Sequence, residues 1–117
     1  MIISFGMTAE AIRARVKTVT RRDWAVSHAH KFHAGDLCKA YDKSPRVGGT
    51  QIATIRLTVD PYIELVSDAR LEDFDREGFA WMAEHGLTLK GLTPEEFWSR
   101  LEGDDPELWV VRFDYVG

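Results

Sequence analysis

The sequence predicts a small α+β domain in which two or three helices pack on a curved or barrel-like sheet of about five strands. Three observations support this fold class. The chain has 117 residues, enough for one domain with a single modest core. Polar and apolar residues alternate over residues 50–59, which is the period of a strand with one buried face. Thr93, Pro94 and Glu96 stand where a helix start needs its N-cap, N1 and N3 residues.

The predicted strands are short apolar or alternating runs bounded by glycine, proline or aspartate. The first closes at Gly6, and the second follows the turn His33-Ala34-Gly35-Asp36. A loop rich in glycine and proline then separates it from the long alternating strand. The predicted strands span residues 2–5, 37–41, 50–59, 62–66 and 108–116.

Three helices are predicted between these strands. The first begins after Thr8, a plausible N-cap, and the last begins after Thr93. The middle one, over residues 71–85, contains Gly78 in its interior. Because an interior glycine costs about 1 kcal/mol relative to alanine, Gly78 indicates a helix break or a close backbone approach.

The charge of the chain is unevenly distributed. The formal net charge is −4, which taken alone argues against a nucleic-acid-binding protein. Residues 1–56 nevertheless hold ten Lys and Arg against four acidic residues, whereas residues 57–117 hold five against fifteen. Such asymmetry indicates either a localised basic face or two halves that neutralise each other across one fold.

Composition also excludes several protein classes. The single cysteine, Cys38, excludes an internal disulfide and lies in an apolar run typical of a core. No apolar run approaches the length of a membrane span, so we expect no membrane partner and a cytoplasmic location. His28, His30 and His33 lie close together, but no cysteine or glutamate has helpful local spacing. We therefore expect no metal site and no other cofactor.

Residues 17–22 form the segment richest in chemically capable side chains. It contains a potential base, two hydroxyls and two permanent cations, and a tryptophan that could stack on a base follows two positions later. A lysine crowded by cations loses its proton more readily and can then act as a base or nucleophile. The segment and its continuation read Lys17, Thr18, Val19, Thr20, Arg21, Arg22, Asp23 and Trp24.

Strand geometry limits how this segment can work. Lys17 and Thr20 are three positions apart, so in a regular strand they would face opposite sides of the sheet. They can share a pocket only if the chain turns there after the preceding helix. Lys17 would then be the base, Thr20 or a water the nucleophile, and Glu77 the proton donor of an acyl transfer. The alternative is a plain strand with a solvated basic edge.

Short motifs of this sequence, taken in their order along the chain, resemble those of the ASCH domain family, which is related to the PUA-like RNA-binding domains. The resemblance extends over most of residues 1–117 and rests on short motifs in matching order. It implies a single domain with a small open β-barrel and a cleft that admits RNA or nucleotides. The matching motifs are Lys17-Thr18-x-Thr20-x-Arg22-Asp23, Phe32-x-x-Gly35-Asp36, the strand around Ile52 and Arg76-Glu77-Gly78-Phe79.

Some small members of this family are amidohydrolases that release the acyl group from N4-acetylcytidine. For this chain the resemblance implies a metal-independent site formed by Lys17, Thr20 and Glu77. Other members are regarded as RNA-binding modules, and ribonuclease activity has been attributed to some. The expected partner is thus RNA or a modified nucleoside.

The chain departs from the amidohydrolase pattern in its added positive charge. Arg21 replaces an apolar residue, and the segments 24–33 and 43–49 are longer and more basic. These cations fit a polyanionic ligand better than a free nucleoside. A non-catalytic RNA-binding module is therefore the main alternative to the enzyme, with a ribonuclease behind it. The expected nucleotide-binding residues are Thr18, Arg21, Arg22, Trp24, Lys43 and Arg46.

Overall fold

The computed structural model describes all residues from 1 to 117 and contains six strands. Each strand has the apolar or alternating pattern that favours a pleated, partly buried surface. They are β1 (Ile2–Ser4), β2 (Val19–Arg22), β3 (Leu37–Tyr41), β4 (Gln51–Leu57), β5 (Tyr62–Leu65) and β6 (Glu107–Tyr115).

Five short α-helices connect these strands. The last one begins with the expected capping box, in which Thr93 and Glu96 each accept a hydrogen bond from the other's backbone N–H. Two 3₁₀ turns lie at Pro45–Val47 and Val66–Asp68. The α-helices are α1 (Ala9–Arg13), α2 (Val26–Ala29), α3 (Asp73–Arg76), α4 (Phe79–Glu84) and α5 (Pro94–Asp104).

The strands form one mixed sheet in the order β1-β3-β4-β6-β2, with β5 also paired to β6. Only the β1–β3 pair is parallel. Strand β6 pairs with three other strands, and its two halves have different partners. Residues 113–115 pair with β4, and residues 107–112 pair with β2 and β5. The α+β class is confirmed.

The details differ from the predicted architecture. The sheet has six strands rather than about five, and it is not closed into a barrel. The additional strand is β2, whose polar sequence resembles a loop as much as a strand. The helix predicted over residues 71–85 is divided into α3 and α4 at Gly78, so the count rises to five with the unpredicted α2.

Two apolar clusters hold the elements together. The larger lies under α1 and includes the fully buried Ile12, Ile55 and Val111 together with Cys38, as expected for a core cysteine. The smaller joins α1 to α4 and α5 through Ala11, Phe79 and Met82. None of the helices is long and apolar enough to cross a membrane.

Candidate functional site

The chain turns between α1 and β2, and this turn positions Lys17. Arg15 adopts a left-handed backbone conformation with φ 60°. Strand β2 begins only at Val19, so Lys17 lies outside the strand and escapes its alternation. The Tyr115 hydroxyl donates a hydrogen bond to the Lys17 carbonyl at 2.5 Å, which fixes the turn to the last strand. The turn predicted from strand parity is therefore present.

Gly78 positions the opposite wall of the site. Its φ is +87°, and a Cβ built there would stand 2.7 Å from the Ala11 Cβ and 3.4 Å from the Lys17 Cβ. Only glycine lets the junction of α3 and α4 approach so closely. Both consequences predicted for this glycine occur, since it breaks the helix and allows contact with the Lys17 turn. Glu77 immediately precedes the break and points toward Lys17.

Lys17 and Glu77 form a buried ion pair. The Lys17 Nζ donates to Glu77 Oε1 at 2.7 Å and to the Glu77 carbonyl at 3.0 Å. The two residues are 1% and 4% exposed. Burial lowers the pKa of Lys17 below the usual lysine range, aided by the charges of Arg22 and Arg21, although Glu77 works in the opposite direction.

Arg21 is held by three carboxylates. Its Nη1 donates to Glu77 Oε2 at 2.8 Å, and its Nη2 donates to Glu64 at 2.9 Å and to Asp73 at 2.6 Å. Burial opposes its charge, but Glu77 and Asp73 outweigh this effect and raise the pKa of Arg21. Only its buried Nε lacks a hydrogen-bond partner. Three of its five guanidinium N–H groups are therefore bound to carboxylates inside the protein.

Asp73 extends this network to Arg112. The fully buried Asp73 accepts two hydrogen bonds from the Arg112 guanidinium, at 3.0 and 2.8 Å, and a third from Arg21. Counted with Lys17, Glu64 and Glu77, the network contains three cations and three carboxylates. Its formal charges thus cancel, as buried charges must if their desolvation is to be offset.

Arg22 is not part of this ion-pair network. Its Nε donates to the Thr20 hydroxyl at 3.1 Å, and its guanidinium lies 4.9 Å from the centre of the Phe5 ring. No carboxylate lies within ion-pair distance, although the more distant Glu77 favours its charge. Burial lowers the pKa of Arg22 to about 10. A half-buried cation without a carboxylate partner is costly, so Arg22 is suited to an anionic group brought by a ligand.

A single pocket of about 350 Å³, which we call the first pocket, is lined by Lys17, Thr20, Arg21, Arg22 and Glu77. Its remaining walls are largely apolar, a combination common in small-molecule sites. Lys90, at the rim, is a basic residue that sequence reasoning did not identify. The pocket is lined by Ser4, Phe5, Gly6, Met7, Thr8, Lys17, Thr20, Arg21, Arg22, Glu77, Phe79, Leu89, Lys90, Phe97, Leu101 and Leu108.

The structure does not bring the remaining predicted residues to this pocket. Thr18 lines a different pocket, which it shares with Arg112. Trp24 stacks on Phe32 at a ring separation of 4.7 Å and packs on the larger core, so it is not an open stacking face. Lys43 and Arg46 lie beside the 3₁₀ turn and line neither pocket.

Sequence reasoning also missed the residues that complete the ion-pair network. Asp73 and Arg112 lie in segments that were interpreted by their apolar periodicity. A signal for Arg112 exists nevertheless, because it is the only basic residue in a strand of otherwise mainly apolar character. A charge inside a buried strand requires a partner, and Asp73 is that partner.

The chain contains no cluster of three or more histidine, cysteine, aspartate or glutamate side chains that could hold a metal ion. Comparisons with protein-family models, curated proteins and solved structures found no match to this chain.

Proposed function

We propose that the protein is an ASCH-type domain of the PUA-like group, and that its first pocket binds an N4-acylated cytidine and hydrolyses the exocyclic amide. The observation that supports this most is the meeting of Lys17, Thr20 and Glu77 around one pocket. The ASCH resemblance assigns the base, the nucleophile and the acid to these three residues, which are separated by up to 60 positions in sequence.

The first step needs a base next to a hydroxyl. Transfer of one proton across the 2.7 Å hydrogen bond converts the Lys17–Glu77 ion pair into a neutral amine and a carboxylic acid. The neutral Lys17 then accepts the proton of Thr20, or of a water, as the oxygen attacks the acyl carbonyl. The hydrogen bond from Arg22 to Thr20 favours the developing negative charge.

The second step breaks the bond between the acyl carbon and N4. Glu77 donates its proton to the departing nitrogen, which leaves as the amino group of cytidine. If Thr20 was the nucleophile, a water hydrolyses the acyl-threonine ester, and if water attacked directly the carboxylic acid is already formed. Either route consumes one water and yields cytidine and a carboxylic acid.

The test is release of acetate from N4-acetylcytidine by the purified protein. Lys17→Met and Thr20→Val should each lower kcat by about 10²–10⁴, the usual contribution of a general base or nucleophile. The exposed Lys39→Met, on β3, is the matched control and should retain full turnover. Circular dichroism and thermal melting would show that the variants fold. Absence of acetate with wild-type protein over a broad pH range would refute the amidohydrolase.

The pH profile offers a second readout. Because the pair must hold the one proton that Glu77 donates, kcat/KM should stay level at lower pH and fall as the pH rises through the pKa of Lys17, which lies below the usual lysine range. Thr20→Ser should keep this profile, since it leaves Lys17 and Glu77 in place. A rate that keeps rising as the pH passes through this interval would exclude the Lys17–Glu77 pair as the source of that proton.

One observation favours the second candidate, a non-catalytic RNA-binding module. Arg22 is a half-buried cation without a carboxylate partner, and an RNA phosphate is a ligand of the right charge. In that case RNA affinity falls with salt, and Arg22→Met reduces the slope of log K against log salt by about one unit. Binding of RNA without acetate release would select this candidate, and binding independent of salt would exclude it.

A further inference from the structure

A second pocket, of about 420 Å³, shares no lining residue with the first. Three of its residues are arginines, three bear hydroxyl groups, and none is acidic. Its walls come from the segments around β5, α3 and β6 and from the start of β2. The second pocket is lined by Thr18, Thr58, Val59, Tyr62, Arg70, Arg76, Arg112 and Phe113.

Arg112 is a rigid donor at this pocket. Asp73 holds its two terminal nitrogens, and the Arg112 Nε donates to the Tyr62 hydroxyl at 2.9 Å. These three hydrogen bonds use three of the five guanidinium N–H groups, so two remain. Because the Tyr62 oxygen accepts from Arg112, its own proton is free to be donated elsewhere.

Arg70 and Arg76 supply the positive charge that Asp73 does not neutralise. Both side chains are exposed. Arg76 has one weak ion pair, 4.0 Å from Glu72, and Arg70 has none. The Arg76 backbone is fixed, since its carbonyl accepts a hydrogen bond from the Thr18 N–H at 2.7 Å. Thr18 and Thr58 add hydroxyl donors between the arginines.

We propose that the second pocket binds a phosphate group of a small polyphosphate or of a nucleic-acid backbone. Guanidinium groups and hydroxyls are the side chains that match phosphate oxygens best. The absence of acidic lining residues leaves the site with a net positive charge, which favours a polyanion over a neutral ligand. This assignment is independent of the chemistry proposed for the first pocket.

The experiment measures binding of sodium tripolyphosphate and of a single-stranded oligonucleotide to the full chain by calorimetry at low ionic strength. Arg70→Gln combined with Arg76→Gln should weaken binding of tripolyphosphate by about tenfold or more, because charge-assisted hydrogen bonds are lost. The matched control is Arg56→Gln with Arg100→Gln, which changes the net charge equally at exposed positions that line neither pocket. It should change binding by less than about twofold.

Two further variants are measured with the same probes: Tyr62→Phe tests the second pocket, and Arg22→Met tests the first. Tyr62→Phe should also weaken binding, since it removes one donor and keeps the ring. Oligonucleotide binding with the same dependence on Arg70 and Arg76 would identify the phosphate as part of a backbone. If only tripolyphosphate binding depends on Arg70 and Arg76, the ligand of the second pocket is a small polyanion.

Three results would overturn the proposal. The first is no measurable binding of either probe to wild-type protein. The second is an equal loss in both pairs of arginine variants, which would indicate net charge alone. The third is loss with Arg22→Met but not with the Arg70 and Arg76 pair, which would place the anion in the first pocket.

Discussion

The two pockets hold similar numbers of cations but differ in how those cations are balanced. In the first pocket Lys17 and Arg21 are buried and bound by carboxylates, whereas Arg22 and the exposed Lys90 have no carboxylate partner. In the second pocket Arg70 and Arg76 are exposed, and Arg112 alone is buried and paired. The first pocket therefore has titratable groups removed from water, and the second has permanent charge in contact with water.

This difference separates two kinds of chemistry. Desolvation lowers the pKa of Lys17 and so favours its neutral form, at a cost that the paired carboxylates offset. Exposed arginines attract an anion without such a cost, but they offer no proton to move. Burial alone thus distinguishes a pocket with a lowered lysine pKa from a pocket with permanent, exposed charge.

The largest effect is expected at Asp73, which binds one arginine from each pocket. Replacement Asp73→Asn leaves Arg21 and Arg112 without their shared carboxylate and should lower the free energy of unfolding by about 3–5 kcal/mol. Urea denaturation measures this loss. The exposed Asp75→Asn, on the same helix, should stay within about 0.5 kcal/mol of wild type. Equal stability of the two variants would show that the pockets do not depend on a common support.

The same variant has a characteristic pH dependence. Burial alone would raise the pKa of Asp73, but hydrogen bonds from Arg112 and Arg21 outweigh burial and lower it. The stabilisation is therefore complete at neutral pH and disappears as the pH falls through this lowered pKa. The difference between wild type and Asp73→Asn should shrink in acid.

The next largest effect is expected at Gly78, which supports only the first pocket. Gly78→Ala combines a left-handed backbone with a Cβ 2.7 Å from Ala11, and should cost about 2–4 kcal/mol of stability. Gly86→Ala is the matched control, because its φ is +66° but its Cβ would meet open space. Its cost should be only about 1 kcal/mol. Equal losses would mean that contact with α1 and the Lys17 turn is unimportant.

The smallest effect distinguishes two neighbouring arginines. Arg21→Met removes the partner of three carboxylates and should destabilise the protein by about 2 kcal/mol. Arg22→Met removes a half-buried cation that has no carboxylate partner and keeps the packing on Phe5, so stability should change by less than about 1 kcal/mol or increase. Acetate release should fall in Arg22→Met. Similar destabilisation by both variants would contradict the separation of a structural from a ligand-binding arginine.

Sequence analysis located the segment with the first pocket but not the roles within it. Strand geometry showed that Lys17 and Thr20 can share a pocket only across a turn, and the resemblance to the ASCH family supplied Glu77 as their partner. Arg21 and Arg22 are identical side chains in adjacent positions, and local sequence offers no means to distinguish them. Their difference comes from Glu64 and Asp73, which lie 43 and 52 positions away.

Other errors have local physical causes. Helix α2 was missed because its N-cap is Ala25, which makes no side-chain hydrogen bond. That helix and its following turn bring Phe32 beneath Trp24, and the expected base-stacking face becomes part of the packing. The second pocket could not be predicted from the sequence, for a different reason. Its arginines come from three separate segments that only the fold brings together.

The pairing of β2 with β6 has a consequence for biosynthesis. Val19 pairs with Arg112, 93 positions later. At a synthesis rate of about 5–20 residues per second, this partner is made roughly 5–20 s after the Lys17–Arg22 segment. The Asp73–Arg112 support and the Tyr115 contact to Lys17 appear equally late. The growing polypeptide therefore leaves the ribosome with its reactive groups dispersed, and any competence of the first pocket is acquired only after nearly the whole domain has been translated.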